Sequence, residues 1–242
     1  MSPRRRLLVT CEHGGNRVPS AYRHLFQGKQ RILDSHCGYD PGALELARLL
    51  ARHADTPLVY STVSRLLVEL NRSPGHPALF SVMTRSLNAS QKRAIVSAYY
   101  EPYRARVEAA IVEATARGEP VLHLSVHTFT PKLRGVVRTA DIGLLYDPSR
   151  TWEKEFCRTW GAAFARMAQT LRIRRNYPYR GNADGLVTYL RRRHQPEQYA
   201  ALELEVNQRH VRKGGDRWRD LRRLVADTFL AAWNQEWLPR RQ

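Results

Sequence analysis

His13 closes the apolar run LLVTCEH, and two glycines follow it in CEHGGNRVP. A second imidazole, His127, closes VLHLSVH. Histidines at the ends of two separate strands are a common way to hold zinc, which accepts imidazole nitrogens and carboxylate oxygens. Gly14 and Gly15 leave room beside His13 for the close approach of a ligand. A catalytic zinc usually has three protein ligands and keeps one position for water, so a third donor is required. Asp40, in HCGYDPGA, is the candidate, although an aspartate before a helix also suits a plain N-cap. Asn16 has the H-x-x-E spacing from His13 but is a poor zinc ligand, and Glu12 adjoins His13, where extended-chain side chains diverge. His123 lies on the same strand face as His127 but about 13 Å earlier at strand rise. It therefore reads as a core or supporting histidine.

A metal-activated water needs a base. In ALELEVNQ the apolar Leu202, Leu204 and Val206 face one way, and Glu203, Glu205 and Asn207 face the other. Carboxylates within a buried strand are expensive unless paired or functional. Glu205 is the general-base candidate, able to take a proton from water and pass it to a leaving amine. Glu203, one pleat deeper, is either paired with an arginine or the base in its place. Arg72 ends LLVELNR, where its guanidinium fork could bind a substrate carboxylate at two points and Asn71 could add an amide donor. An arginine ending a strand at the surface is the plainer alternative.

The elements that must position these groups follow from periodicity. Leu7 to Cys11, Leu58 to Tyr60, Leu66 to Leu70, Pro120 to Thr128, Ile142 to Tyr146 and Leu202 to Val206 read as strands. Pro41 to Ala54, Gln91 to Arg117, Trp152 to Leu171 and Arg217 to Trp233 read as helices, with Pro102 kinking or restarting the second. The alternation predicts one domain over residues 1–242 with a mostly parallel sheet covered on both faces. Ligands bind beyond the carboxyl ends of such strands, which is where His13, Arg72, His127 and Glu205 would converge. The long polar loop from Asn71 to Ala89 is a further functional candidate.

Composition narrows the classes. At 242 residues and 43% hydrophobic content, the chain can bury a sizeable core. No apolar run approaches the roughly 18 residues of a membrane span, and the N-terminal apolar segment is too short for a signal peptide. Cys11, Cys37 and Cys157 have neither disulfide-framework nor metal-type spacing, so a reducing, cytoplasmic compartment is expected. The net charge of +18 is almost all arginine. Its clusters are short, dispersed and not interleaved with aromatics, which favours solvated surface over a nucleic-acid platform. The same field would attract a small acidic substrate. Oligomeric state is left open.

Seven segments, CEHGGNRVP, GYDPGA, VELNRSP, SVHTFTP, DIGLLYD, NYPYRGNADG and ALELEVNQ, resemble the blocks of the N-formylglutamate amidohydrolase family, in the same order, between Leu7 and Arg209. The family is similar in fold to zinc carboxypeptidases and aspartoacylases. The resemblance implies a three-layer α/β/α sandwich with a mixed, mostly parallel, phosphorylase/hydrolase-like sheet. It implies a zinc-dependent hydrolase of N-formyl or N-acyl amino acids, N-formyl-L-glutamate giving glutamate and formate. On this reading His13, Asp40 and His127 hold Zn2+ and Glu205 is the base. Asn16, Asn71, Arg72, Tyr179 and Arg180 would contact substrate. The carboxypeptidase pattern would have Glu where Asn16 stands, so Asp40 takes the middle ligand position.

Overall fold

The computed structural model describes residues 4–235. The strands are β1 (Arg6–Cys11), β2 (Leu58–Tyr60), β3 (Val121–Phe129), β4 (Lys132–Leu133), β5 (Val136–Val137), β6 (Ile142–Leu145), β7 (Ile173–Arg175) and β8 (Tyr199–Asn207). The helices are α1 (Gln30–Leu33), α2 (Ala43–His53), α3 (Ala89–Ile95), α4 (Glu101–Ala116), α5 (Thr151–Met167), α6 (Leu186–Arg191), α7 (Gln208–Lys213) and α8 (Gly215–Trp233). Six strands form one sheet in the order β2-β1-β3-β8-β6-β7, and β4 and β5 make a separate hairpin. All pairings in the large sheet are parallel except β8 with β6. The sheet is therefore mixed and mostly parallel.

Alternation assigns the two faces. Leu7, Val9, Leu122, Leu124, Val126, Leu202, Leu204 and Val206 pack with α2, α5 and α8 in one core. Leu8, Val121, Tyr199 and Ala201 pack with α3, α4 and α6 in the other. Further along β3 and β8 this second face carries the polar His123, Ser125, His127, Glu203, Glu205 and Asn207, with Phe129 closing β3. Register aligns Ser125 with Glu203 and His127 with Glu205 across the β3–β8 pair. The second face is thus apolar at the start of its strands and polar over the stretch that follows, up to Phe129 at the end of β3. From β1 the chain moves outward through α2 to the edge strand β2, then returns past β1 through α3 and α4 to β3. That reversal opens a crevice beyond β1 and β3, the place where open α/β sheets bind ligands.

Several expectations change. Leu66–Leu70 is not a strand: Leu66, Leu67, Val68 and Leu70 are buried, but the run turns back on Ser64 and Leu79 and has no strand partner among the described residues. The Asn71 to Ala89 loop is a succession of turns that packs Leu79 and Phe80 onto the second core. Helix α2 begins at Ala43 with left-handed Gly42 as its cap, so Asp40 is not the side-chain cap. Between α3 and α4 the chain makes one π-helical stretch, Val96–Tyr100, just before Pro102. This widened turn accommodates the missing proline N–H without ending the helix. Among the described residues no helix is long and apolar enough to cross a membrane.

Candidate active site

Glu12 and His13 follow β1 directly and diverge. His13 Nδ1 lies 3.3 Å from Asp40 Oδ2, and its Nε2 contacts Glu69 Oε1. His127, near the end of β3, mirrors it: Nδ1 lies 2.9 Å from the same Asp40 oxygen and Nε2 lies 3.0 Å from Glu12 Oε2. One candidate donor atom each from His13, Asp40 and His127 lies within 4.8 Å of the other two, and all three residues are buried. Each imidazole thus turns Nδ1 to the shared carboxylate and gives Nε2 to a separate one. Metal-binding histidines characteristically rest their second nitrogen on a carboxylate in this way, which fixes tautomer and ring orientation. The donor set fits a divalent cation such as zinc.

The cradle is itself supported. Glu12, fully buried, also accepts Tyr103 OH at 2.7 Å and Ser125 Oγ at 2.5 Å. Glu69 accepts the Asn71 backbone N–H at 3.0 Å, and Arg65 Nε donates to Glu69 at 2.7 Å while its Nη1 donates to Asp40 Oδ1 at 3.2 Å. Burial works against the charged forms of Glu12, Asp40 and Glu69, yet histidine and arginine neighbours outweigh it and hold all three carboxyls well below their ordinary range. Burial also opposes protonation of His127, but Asp40 and Glu12 outweigh it and lift the imidazole well above its usual value. All these groups favour positive charge between the two rings.

Glu205 differs. It is 6% exposed, and its Oε2 has no hydrogen-bond partner. Burial, reinforced by Asp40 and Glu203 and opposed by His127, pushes its carboxyl up to about 8. A buried carboxylate oxygen without a partner, facing the crevice, has the character of a proton carrier. Glu203 accepts Asn71 Nδ2 at 3.0 Å and, among the described residues, makes no ion pair with an arginine, contrary to one expectation. His123, held between Thr10 Oγ1 at 2.8 Å and Tyr199 OH at 2.7 Å, is the expected supporting histidine, and burial lowers its pKa to about 4.

His13, Asp40, Asn71, Arg72, His127, Tyr179, Arg180 and Glu205 all line one cavity of about 190 Å³. Asn16 is not among its lining residues; its Nδ2 donates to Asp34 at 2.7 Å. Asn71 lines the wall, but both ends of its amide are engaged, Nδ2 on Glu203 and Oδ1 on the Leu186 N–H at 2.6 Å. Arg72 bends along its own chain, Nη1 donating to the carbonyls of Asn71 at 3.0 Å and Asp184 at 2.8 Å. Tyr179 receives Arg138 Nη1 at 3.1 Å, and Arg180 is exposed. The glycines after His13 serve a backbone contact. A Cβ on Gly14 would meet Ser61 O at 2.8 Å, and one on Gly15 would meet Thr62 O at 2.8 Å. They let the chain lie against the segment after β2.

Arg65 and Glu69 escape the sequence reading, and Glu12, which it does not make a ligand, supports the cradle instead. The available signal was Arg65 with Glu69 at i,i+4 in SRLLVEL, a spacing for an ion pair on a turning chain.

A mostly parallel sheet carrying a His–Asp–His cradle and a buried glutamate in one crevice defines a hydrolase of the α/β type. The chain belongs to the N-formylglutamate amidohydrolase family, whose model matches residues 5–211. It is similar to the crystal structure of a gene product of Agrobacterium tumefaciens, with 28% identity, TM-score 0.82, and coverage of 96% of this chain and 92% of that one. The crystal structure of an N-formylglutamate amidohydrolase from Ralstonia eutropha shares the fold, with TM-score 0.72, 18% identity, and 96% and 94% coverage. No curated protein matches the chain.

Proposed function

We propose that this chain is a zinc-dependent amidohydrolase acting on small N-formyl or N-acyl amino acids, with N-formyl-L-glutamate, cleaved to formate and glutamate, as the leading substrate. The observation that carries this reading is the His13–Asp40–His127 donor set in one cavity with the unpartnered Glu205 oxygen. Zinc held by those three side chains would polarise the scissile carbonyl and make water more acidic. Glu205 takes a proton from the attacking water as its oxygen bonds the acyl carbon. As the C–N bond breaks, Glu205 returns that proton to the amine nitrogen, leaving acid and amine. Arg72 binds the carboxylate of the amino acid. Arg65, already in contact with Asp40 and Glu69, places positive charge beside the cradle, where negative charge grows in the transition state.

The test is metal analysis of the purified protein together with formate release across a panel of N-formyl amino acids. About one zinc per chain, the usual content of a mononuclear site, and turnover that is best with an acidic side chain support the reading. Protein that carries no metal, takes none up and releases no formate overturns it.

A further inference from the structure

Arg104 lies on α4, 6% exposed, and no carboxylate lies within ion-pair distance of it among the described residues. Its guanidinium sits between two aromatic rings, 4.9 Å from the centroid of Tyr100 and 4.8 Å from that of Tyr189 on α6. Nε and Nη1 have no partner. The remaining nitrogen, Nη2, donates to the backbone carbonyl of Arg72 at 2.6 Å. Tyr100 OH donates to the same carbonyl at 2.7 Å. Tyr100 and Arg104 are i,i+4, so one helical face delivers both donors to one oxygen. Tyr100 is also the last residue of the π-helical stretch, a departure from regular helix that often marks functional positions.

Burying a cation without a counter-ion is expensive, and an apolar side chain of similar length would fill this space without that expense. The ring faces offset part of it. The hydrogen bond that the guanidinium does make goes to the residue whose side chain lines the cavity. Arg72 in turn directs its own guanidinium by donating to Asn71 O and Asp184 O, so its orientation depends on where its main chain is held.

We propose that Arg104, together with Tyr100, is a positioning residue for carboxylate recognition. It pins the main chain of Arg72 so that the Arg72 guanidinium is presented to the cavity ready for a substrate carboxylate. This rests on the reading of Arg72 given above. A positioned cation of this kind acts on substrate binding and leaves the chemical step to Glu205.

The experiment compares Arg104→Met, Arg104→Lys, Tyr100→Phe and Arg72→Lys with the parent. The substrates are N-formyl-L-glutamate and its α-amide, which lacks the α-carboxylate. Arg104→Met should raise KM for the acid about tenfold with kcat within about twofold, the pattern of a lost binding contribution. It should change kcat/KM for the amide by less than about twofold. Tyr100→Phe should shift KM in the same direction and less, and Arg104→Lys should recover part of the loss. Tyr100→Phe removes one oxygen and keeps the ring, so it carries the test if Arg104→Met fails to fold. If Arg72→Lys is selective for the acid while the Arg104 and Tyr100 variants penalise both substrates equally or neither, this proposal is wrong and the reading of Arg72 stands. If the parent does not prefer the acid, turns over neither substrate, or Arg72→Lys is unselective, the reading of Arg72 falls and this proposal falls with it.

Discussion

Glu203 and Glu205 share one face of β8 and one cavity, yet their environments separate them. Glu203 is satisfied by Asn71, whereas Glu205 keeps an unpartnered buried oxygen. Glu205→Gln should retain metal and lose about 10²–10⁴-fold in kcat, the range for a positioned acid–base group. Glu203→Gln still offers an oxygen to Asn71 and should cost no more than about 1 kcal/mol of stability. Kinetics, metal content and thermal melts on both variants decide it; an active Glu205→Gln beside a dead, folded Glu203→Gln reverses the roles. A second test concerns the cradle. Glu12→Gln and Glu69→Gln each weaken the support behind one histidine, and metal affinity should fall about 10–100-fold without being abolished. Unchanged affinity in a competition titration would remove both from the site. His13, His127 and Glu205 are legible because polar groups interrupt apolar segments, and Asp40 because a carboxylate stands just before a helix. Arg65 and Glu69 are not, because SRLLVEL reads as a strand. Extended, their side chains would stand about 13 Å apart; the turn that the chain makes brings them into contact.

At the scale of elements, Asp141 joins β6, β7 and α7. It precedes β6, accepts the Arg172 N–H ahead of β7 at 2.9 Å, and contacts Arg209 and His210 of α7. Burial opposes its ionisation, but His210, the Arg172 amide and Arg209 outweigh it and hold its pKa below the ordinary carboxylate range. A depressed folded-state pKa contributes stability above the unfolded value, about 3.9, and loses it as pH falls further. Asp141→Asn should therefore melt lower than the parent at neutral pH, and the difference should shrink below about pH 4. A constant difference down to about pH 2 would show that the charge plays no part. Gly143, opposite Glu205 in the register, sets the path of the chain into the cavity wall that carries Tyr179 and Arg180: a Cβ there would lie 1.9 Å from Tyr177 O. Gly143→Ala must displace the backbone leading to Tyr179 and Arg180, at about 1–3 kcal/mol, with a lower Tm and a raised KM; an unchanged KM would separate that wall from substrate. The strand β7 escaped the sequence because IRR has no apolar alternation at an exposed edge, whereas the long apolar runs of β3 and β8 announced themselves. The run Leu66–Leu70 shows the opposite failure: burial without pairing has the same composition as a short buried strand.

The whole molecule carries +18, and the arginine clusters noted in the sequence prove mostly to be surface. Arg172, Arg174, Arg175, Arg192 and Arg193 are exposed. Arg191 is the exception, buried against Glu153 at 2.9 Å and donating to Gly181 O at 2.6 Å beside the cavity residue Arg180. These exposed arginines add to the positive field of the molecule. The cavity adds Arg65, Arg72 and Arg180 of its own. A dianionic substrate approaching such a surface is drawn in at long range, and the attraction is screened over a Debye length of about 10 Å at 0.1 M salt. The expected result is that kcat/KM for N-formyl-L-glutamate falls several-fold between about 20 and 500 mM salt, where that length shrinks several-fold. Encounter and equilibrium binding are both weakened by screening, so the direction does not depend on which limits the rate. The value of kcat should hardly move, because groups within the cavity are screened much less than exposed ones. A neutral N-formyl amino acid amide, measured over the same series, should stay flat. A parallel fall for both substrates would mean that salt acts on the protein or its metal, and a flat response for both would mean that the positive surface does not guide the substrate.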